Sequence, residues 1–456
     1  LPRSRLTLEP SGAVYPPAMR TWLAGLLVTG GCGIDPLPRL ADAHRDYSGV
    51  LPVFPGAEGF GTDTRAGRGG TVLVVDTLHP DGPGSLRWPL EQDEPRTIVF
   101  EVGGVIEVDS WLEVRSPFVT LAGQTAPDPG ITLYGAGLRI QTHDVLVQHI
   151  AVRAGDRRDG PDPDDRDSLQ IIGDPRGETR VCNVVIDHVS LSWGIDETFS
   201  TYYPGVCDVT VSHSLISESL DDSLKGEPHS KAFLVGDHTR RLAMLRNVLA
   251  HSDDRHPVLK GDTTALVVNN FVYDPGRWPV TFFDQEDAGP MLTSLLGNDF
   301  VYGASSPKDH HTILVSRSVK DGSKLFLEDN RGWDLRGDQS SLVDAENGAG
   351  MALVAAAPVS VTPLTVAPVE GLEPSLLETA GSRPAARDAV DQRVIASIRE
   401  RAGRIIDAVR EVGFPKPEPT RVALDLPEDP SGDLDGDGYT NLENWLHALS
   451  ARAEGR

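Results

Sequence analysis

The segment Asp253-Asp254-Arg255-His256-Pro257-Val258-Leu259-Lys260 sets an arginine and a lysine five residues apart around a proline, inside a series of short apolar strands. Strands stacked as a right-handed coil project both cations from one side, a device for gripping and attacking a polyanionic chain. Lys225, Lys231, Arg240, Arg241 and Arg246 fall on neighbouring repeats, so a basic groove is expected on a protein whose net charge is −25. That net charge argues against nucleic acid or an anionic membrane surface as partner, whereas an acidic substrate stays compatible because the charge that matters is local. Carboxylates also cluster. The pairs Asp221-Asp222 and Asp253-Asp254 would suit the acid and base of a glycoside hydrolase. Asp433-Leu-Asp435-Gly-Asp437-Gly matches positions 1, 3, 5 and 6 of an EF-hand-type calcium loop. Position 12 is Asn444, with Glu443 one place early, so Asp433, Asp435, Asp437, Glu443 and Asn444 are the candidate ligands.

These groups need a scaffold, and a repeat supplies one. Val145-Leu-Val-Gln-His149, Val184-Val-Ile-Asp-His188, Val209-Thr-Val-Ser-His213, Ala243-Met-Leu-Arg-Asn247, Leu266-Val-Val-Asn-Asn270 and Leu295-Leu-Gly-Asn-Asp299 share one template of apolar residues closed by a polar pair. A spacing of ~23 to 39 residues is that of a solenoid, and the β-branched content argues strand rather than helix. A polar residue recurring at one register predicts an inward ladder at a turn, with His149, His188, His213, Asn247 and Asn270 structural rather than catalytic. The fold class is therefore all-β, a right-handed parallel β-helix. With 46 glycines, 35 prolines and 456 residues, the chain suits one long solenoid with appendages.

Residues 1–49 read as a leader and linker: Met19-Arg20, an apolar core and small residues before Cys32 resemble a lipoprotein signal, with Cys32 lipidated and a possible membrane anchor. Residues 50–370 form the β-helix. Residues 371–415 form a helical segment packing on it, with apolar residues at helical spacing from Ala389 to Val412 and Gly403 as a break. Residues 416–456 hold a Pro-rich linker and the calcium loop as an independent tail. Cys182 and Cys207 occupy equivalent positions on successive rungs, either as a disulfide or as stacked buried thiols.

Taken together, Phe54-Pro-Gly-Ala-Glu-Gly-Phe-Gly61, Gly67-Arg-Gly-Gly70, Gly82-Pro-Gly-Ser-Leu-Arg87, Leu121-Ala-Gly-Gln-Thr-Ala-Pro127, Ile186-Asp-His188, Ser192-Trp-Gly194, Asp196-Glu197 and Arg255-His-Pro257 resemble the bacterial pectate lyases of polysaccharide lyase family 1, over roughly residues 52–415. The resemblance implies calcium-assisted β-elimination of polygalacturonate, with Arg255 as base and Lys231 and Lys260 gripping the substrate. It implies Ca2+ ligands at Asp165, Asp167 and Glu197, while the family's further aspartate is Thr201 here. The lipoprotein-like leader ending at Cys32 implies a secreted or cell-surface protein, a bacterial lipoprotein. Two other classes remain in view, a glycoside hydrolase on the same fold and a non-catalytic carbohydrate-binding β-helix.

Overall fold

Segments such as Val145–Gln148, Val181–Asp187, Val206–Ser212, Arg240–Leu245 and Thr264–Val268 carry apolar side chains at alternate positions, which suits a pleated strand burying one face. In the computed structural model, which describes residues 38–307, 311–332 and 339–456, they stack in parallel. Val145, Val184, Val209, Leu242 and Ala265 are register partners in succession. Each coil also contributes strands to two further sheets, and among the described residues the three sheets hold eleven, nine and nine strands. This is the expected right-handed parallel β-helix. Residues i and i+2 share a face, so Val145, Val147, Val184, Ile186, Val209, Val211, Leu242 and Met244 all enter one apolar core along the axis.

The polar ladder expected at one register occupies two. Asn247 donates to Asn270 at 2.9 Å, Asn270 to Asn298 at 3.0 Å and Asn298 to Asn330 at 2.9 Å, a buried amide ladder at the corner after the first sheet. His149, His188 and His213 lie one position earlier in the coil, since Gln148, Asp187, Ser212 and Leu245 are register partners. Their backbones are left-handed, with φ of 58, 47 and 46°. The three imidazoles stack, with centroids 5.2 and 4.8 Å apart. The histidines therefore form a separate column beside the amide ladder. A one-residue offset is invisible in a template that tolerates either residue of a polar pair.

The helices Leu372–Thr379 and Ala389–Arg399 bury Leu372, Leu376, Leu377, Val394, Ile395 and Ile398 against Leu215, Val248, Ala250, Phe271 and Tyr273 on the outer face of the second sheet. Asp388 caps the second helix by accepting from the Asp391 amide, and both carboxylates pair with buried Arg153. The helix ends at Arg399, well short of Val412, and Gly403 follows at φ +86°. Cys182 and Cys207 are joined by a disulfide, with Cα atoms 4.5 Å apart. Cys32 lies outside the described residues. Among those residues, no helix is long and apolar enough to cross a membrane.

The tail does not hang free. The described residues fall in one compact unit; Thr420–Arg421 pairs antiparallel with Val102 and Gly103, and the helix Asn441–Glu454 buries Leu442 and Leu446 with Val99 and Ala122 of the first sheet. The Pro-rich stretch marked a linker in sequence, yet what decides attachment is this apolar contact. Leu442→Ala is expected to cost about 2–5 kcal/mol as measured by chemical denaturation. An unchanged denaturation midpoint would show that the tail contributes nothing to the fold.

Candidate active site

The chemistry-bearing residues gather where the chain enters the third sheet. Leu169–Ile172, Phe199–Tyr202, Phe233–Val235 and Val258–Leu259 are successive parallel strands. Asp167 and Glu197 precede the first two by two residues, Lys231 the third by two and Arg255 the fourth by three. Because neighbouring strands are ~4.8 Å apart, four consecutive coils present two carboxylates and then two cations in one row. Lys260 stands at the far end of Arg255's own strand, one residue past Leu259.

Arg255 sits at φ +68°, a left-handed conformation that a side chain rarely adopts without being held. The Asp254 carboxylate accepts its backbone N–H at 2.8 Å, and the Phe233 amide donates to the Arg255 carbonyl at 2.7 Å. The side chain crosses Lys231's coil to pair with Glu197 and is 27% exposed. Burial lowers its pKa from the usual guanidinium value, opposed by Asp196 and Asp167. Lys231 is nearly buried, with Nζ 3.4 Å from Asp254 and 3.9 Å from Asp253. Lys260 Nζ is 3.2 Å from Asp237.

The expected calcium ligands do not converge as a trio. Asp165 is half exposed and receives both its hydrogen bonds from Arg139, at 2.7 and 2.6 Å. Asp167 is fully buried and accepts from the Glu197 amide at 2.8 Å and from Ser200. Burial, then the charges of Asp196 and Asp165, push its pKa well up, so Asp167 shapes the turn that presents Glu197. Asp196, Glu197 and His229 instead offer ligand atoms within 4.8 Å of one another. Asp196 is held by Lys225 and by His229 at 3.0 Å; although burial opposes it, these partners keep its pKa low. Asp196 was visible in the Asp-Glu pair of the motif, whereas nothing in sequence marked His229.

Other expectations also change. Thr201 faces inward, between core residues Ile171 and Val235; its hydroxyl meets Thr239 at 2.9 Å and accepts the Gly236 amide at 3.1 Å. A carboxylate there would enter the core rather than the groove. Arg240, Arg241 and Arg246 belong to the first-sheet side, paired with Asp262, Asp208 and Glu58, so the basic groove reduces to Lys225, Lys231, Arg255 and Lys260. Asp253 and Asp254 brace Lys231, with Arg277 2.9 Å from Asp253, and Asp221 accepts the Ser230 amide. Asp221, Asp253 and Asp254 of the hydrolase alternative are thus committed to positioning. In the tail, Asp433, Asp435 and Asp437 lie within 4.8 Å of one another, and Asn444 Nδ2 approaches Asp435 at 3.3 Å. Glu443 turns away to Arg68 at 2.7 Å and caps the helix through Thr440, which leaves Asn444, at position 12, beside the aspartates.

No protein-family model matches the chain. A probable pectate lyase C of Aspergillus oryzae is 30% identical over 424 residues, covering 88% of this chain and 95% of that protein. One of Neosartorya fischeri is 31% identical over 422 residues, covering 88% and 94%. A Bacillus subtilis pectate lyase structure superposes with a TM-score of 0.53 at 13% identity, covering 75% of this chain and 99% of that one. The cedar pollen allergen jun a 1 gives 0.51 at 16% identity, covering 73% and 93%. Fold and site together define a β-helical polysaccharide lyase. The chain belongs to the pectate lyase family.

Proposed function

We propose that this protein cleaves polygalacturonate by β-elimination, with Arg255 removing the C5 proton next to the uronate carboxylate as the glycosidic oxygen at C4 departs. What carries the reading is the row on four consecutive coils, in which a partly buried arginine of lowered pKa stands beside carboxylates and Lys231, with Lys260 at the far end of its strand. The C5 proton is weakly acidic until the neighbouring carboxylate is neutralised. Lys231 and Lys260, fixed by Asp254 and Asp237, are pre-aimed charges of the kind that stabilise a developing enolate-like anion. An arginine acts as a base only while neutral, and burial favours that form. Its present partner, Glu197, keeps it charged, so proton transfer requires that pair to part.

Asp196 and Glu197 are the residues that would hold Ca2+ at the groove edge. Two carboxylates fall short of the six to eight oxygens that ion takes, which fits a site completed by uronate carboxylates and water. When bound, Ca2+ would supply charge neutralisation at the uronate carboxylate. His229 is a poor ligand for calcium and serves as a donor to Asp196. The tail loop Asp433–Asn444 is a second proposed calcium site, on the first-sheet side. The disulfide fits an oxidising compartment and supports export from the cytosol.

Purified protein incubated with polygalacturonate should release ultraviolet-absorbing unsaturated oligomers in calcium and none after chelation. Reducing ends without that absorption would identify a hydrolase. Binding without either product would identify a non-catalytic β-helix.

A further inference from the structure

The histidine column has an outer end that neither the fold nor the active site uses. His149 is fully buried, and its Nδ1–H donates to the Ser382 carbonyl at 2.8 Å. Its Nε2 has no hydrogen-bond partner. His188, stacked on it, directs Nδ1–H to Asp187 at 2.9 Å. Both rings are therefore fixed with Nε2 facing the end of the helix Asn441–Glu454. There Glu454 Oε1 is 3.6 Å from His149 Nε2, and Oε2 is 3.8 Å from His188 Nε2. Those separations are too long for hydrogen bonds. They are close to the ~3.4 Å between two atoms that each lie about 2.1 Å from one tetrahedral ion.

We infer that His149 Nε2, His188 Nε2 and Glu454 form a binding site for a divalent transition ion of the zinc class, which fastens the helix Asn441–Glu454 to the flank of the β-helix. The donor set is two imidazoles and a carboxylate, which suits zinc and not calcium. The outer shell matches as well. Metal-ligating histidines almost always donate their other ring N–H to a carbonyl or carboxylate, here Ser382 and Asp187. Burial holds His149 neutral, its pKa lowered to about 3, so its Nε2 lone pair is available. His188 is different, since Asp187 and Glu454 raise its pKa; zinc binding there releases the Nε2 proton to solvent. Arg456 holds Glu454 Oε2 at 2.7 Å, leaving Oε1 toward His149.

The test uses the full chain, equilibrated with zinc, dialysed and assayed for metal content beside Glu454→Gln and His149→Gln. Glu454 is the last residue of its helix, and glutamine there keeps its size and an oxygen that accepts from Arg456, so its variant should fold; the glutamine at 149 keeps a side-chain donor for Ser382. Wild type should retain one more zinc equivalent than either variant, its thermal midpoint should rise with zinc, and the zinc affinity of this site should fall at least ~10-fold in both. Co2+ should give the visible absorption of a four-coordinate ion in wild type, and both variants should lose it. No zinc retained by wild type, equal contents in all three proteins, or a cobalt band that survives Glu454→Gln would overturn the assignment.

Discussion

Replacing Arg255 by lysine is expected to lower kcat by at least ~100-fold, within the range for loss of a general base, while circular dichroism and thermal midpoint stay unchanged. Lysine keeps the positive charge, so the loss would not reflect weaker attraction of the polymer. What changes is reach: the guanidinium spans from the fourth coil of the row to Glu197 on the second, and an ammonium on a shorter stem does not present the same atoms at that point. The backbone tolerates the change, because Asp254 and Phe233 hold the left-handed turn through main-chain hydrogen bonds. KM should move little, since Lys231 and Lys260 still contact substrate. Unchanged kcat in folded protein would remove Arg255 from the chemistry.

Chelation should abolish turnover, and activity should return with calcium added at about 10⁻⁴ to 10⁻³ M, the range of weak oxygen-ligand sites. Asp196→Asn should raise the calcium required for half-maximal rate by at least ~10-fold, an effect of the size seen when a metal site loses a supporting group. The carboxamide retains shape and hydrogen bonding but not charge. Lys225 and His229 would then face a neutral partner, and Glu197 would be the remaining carboxylate of the cluster. The readout is the rate of unsaturated-product formation against free calcium. If the wild-type rate survives exhaustive chelation, or if Asp196→Asn leaves the calcium dependence where it was, these residues do not hold a catalytic ion.

Strand alternation and the recurrence of Val-rich rungs determined the β-helix, because an inward-facing period of two and a repeat of solenoid length are local properties of the chain. The same local reading marked Arg255 and Lys260 as the two ends of one strand. The tertiary structure decided everything that depends on which residue of a polar pair turns inward. It separated the histidine column from the Asn247–Asn270 ladder by a single position and turned Thr201 into the core. It buried Asp167 under the Glu197 amide and brought His229 to Asp196 from another coil. It also drew Glu443 to Arg68, 375 positions apart along the chain. In a solenoid, groups on adjacent coils are brought side by side by stacking at ~4.8 Å, so metal clusters and ion pairs form between residues that no spacing along the chain connects.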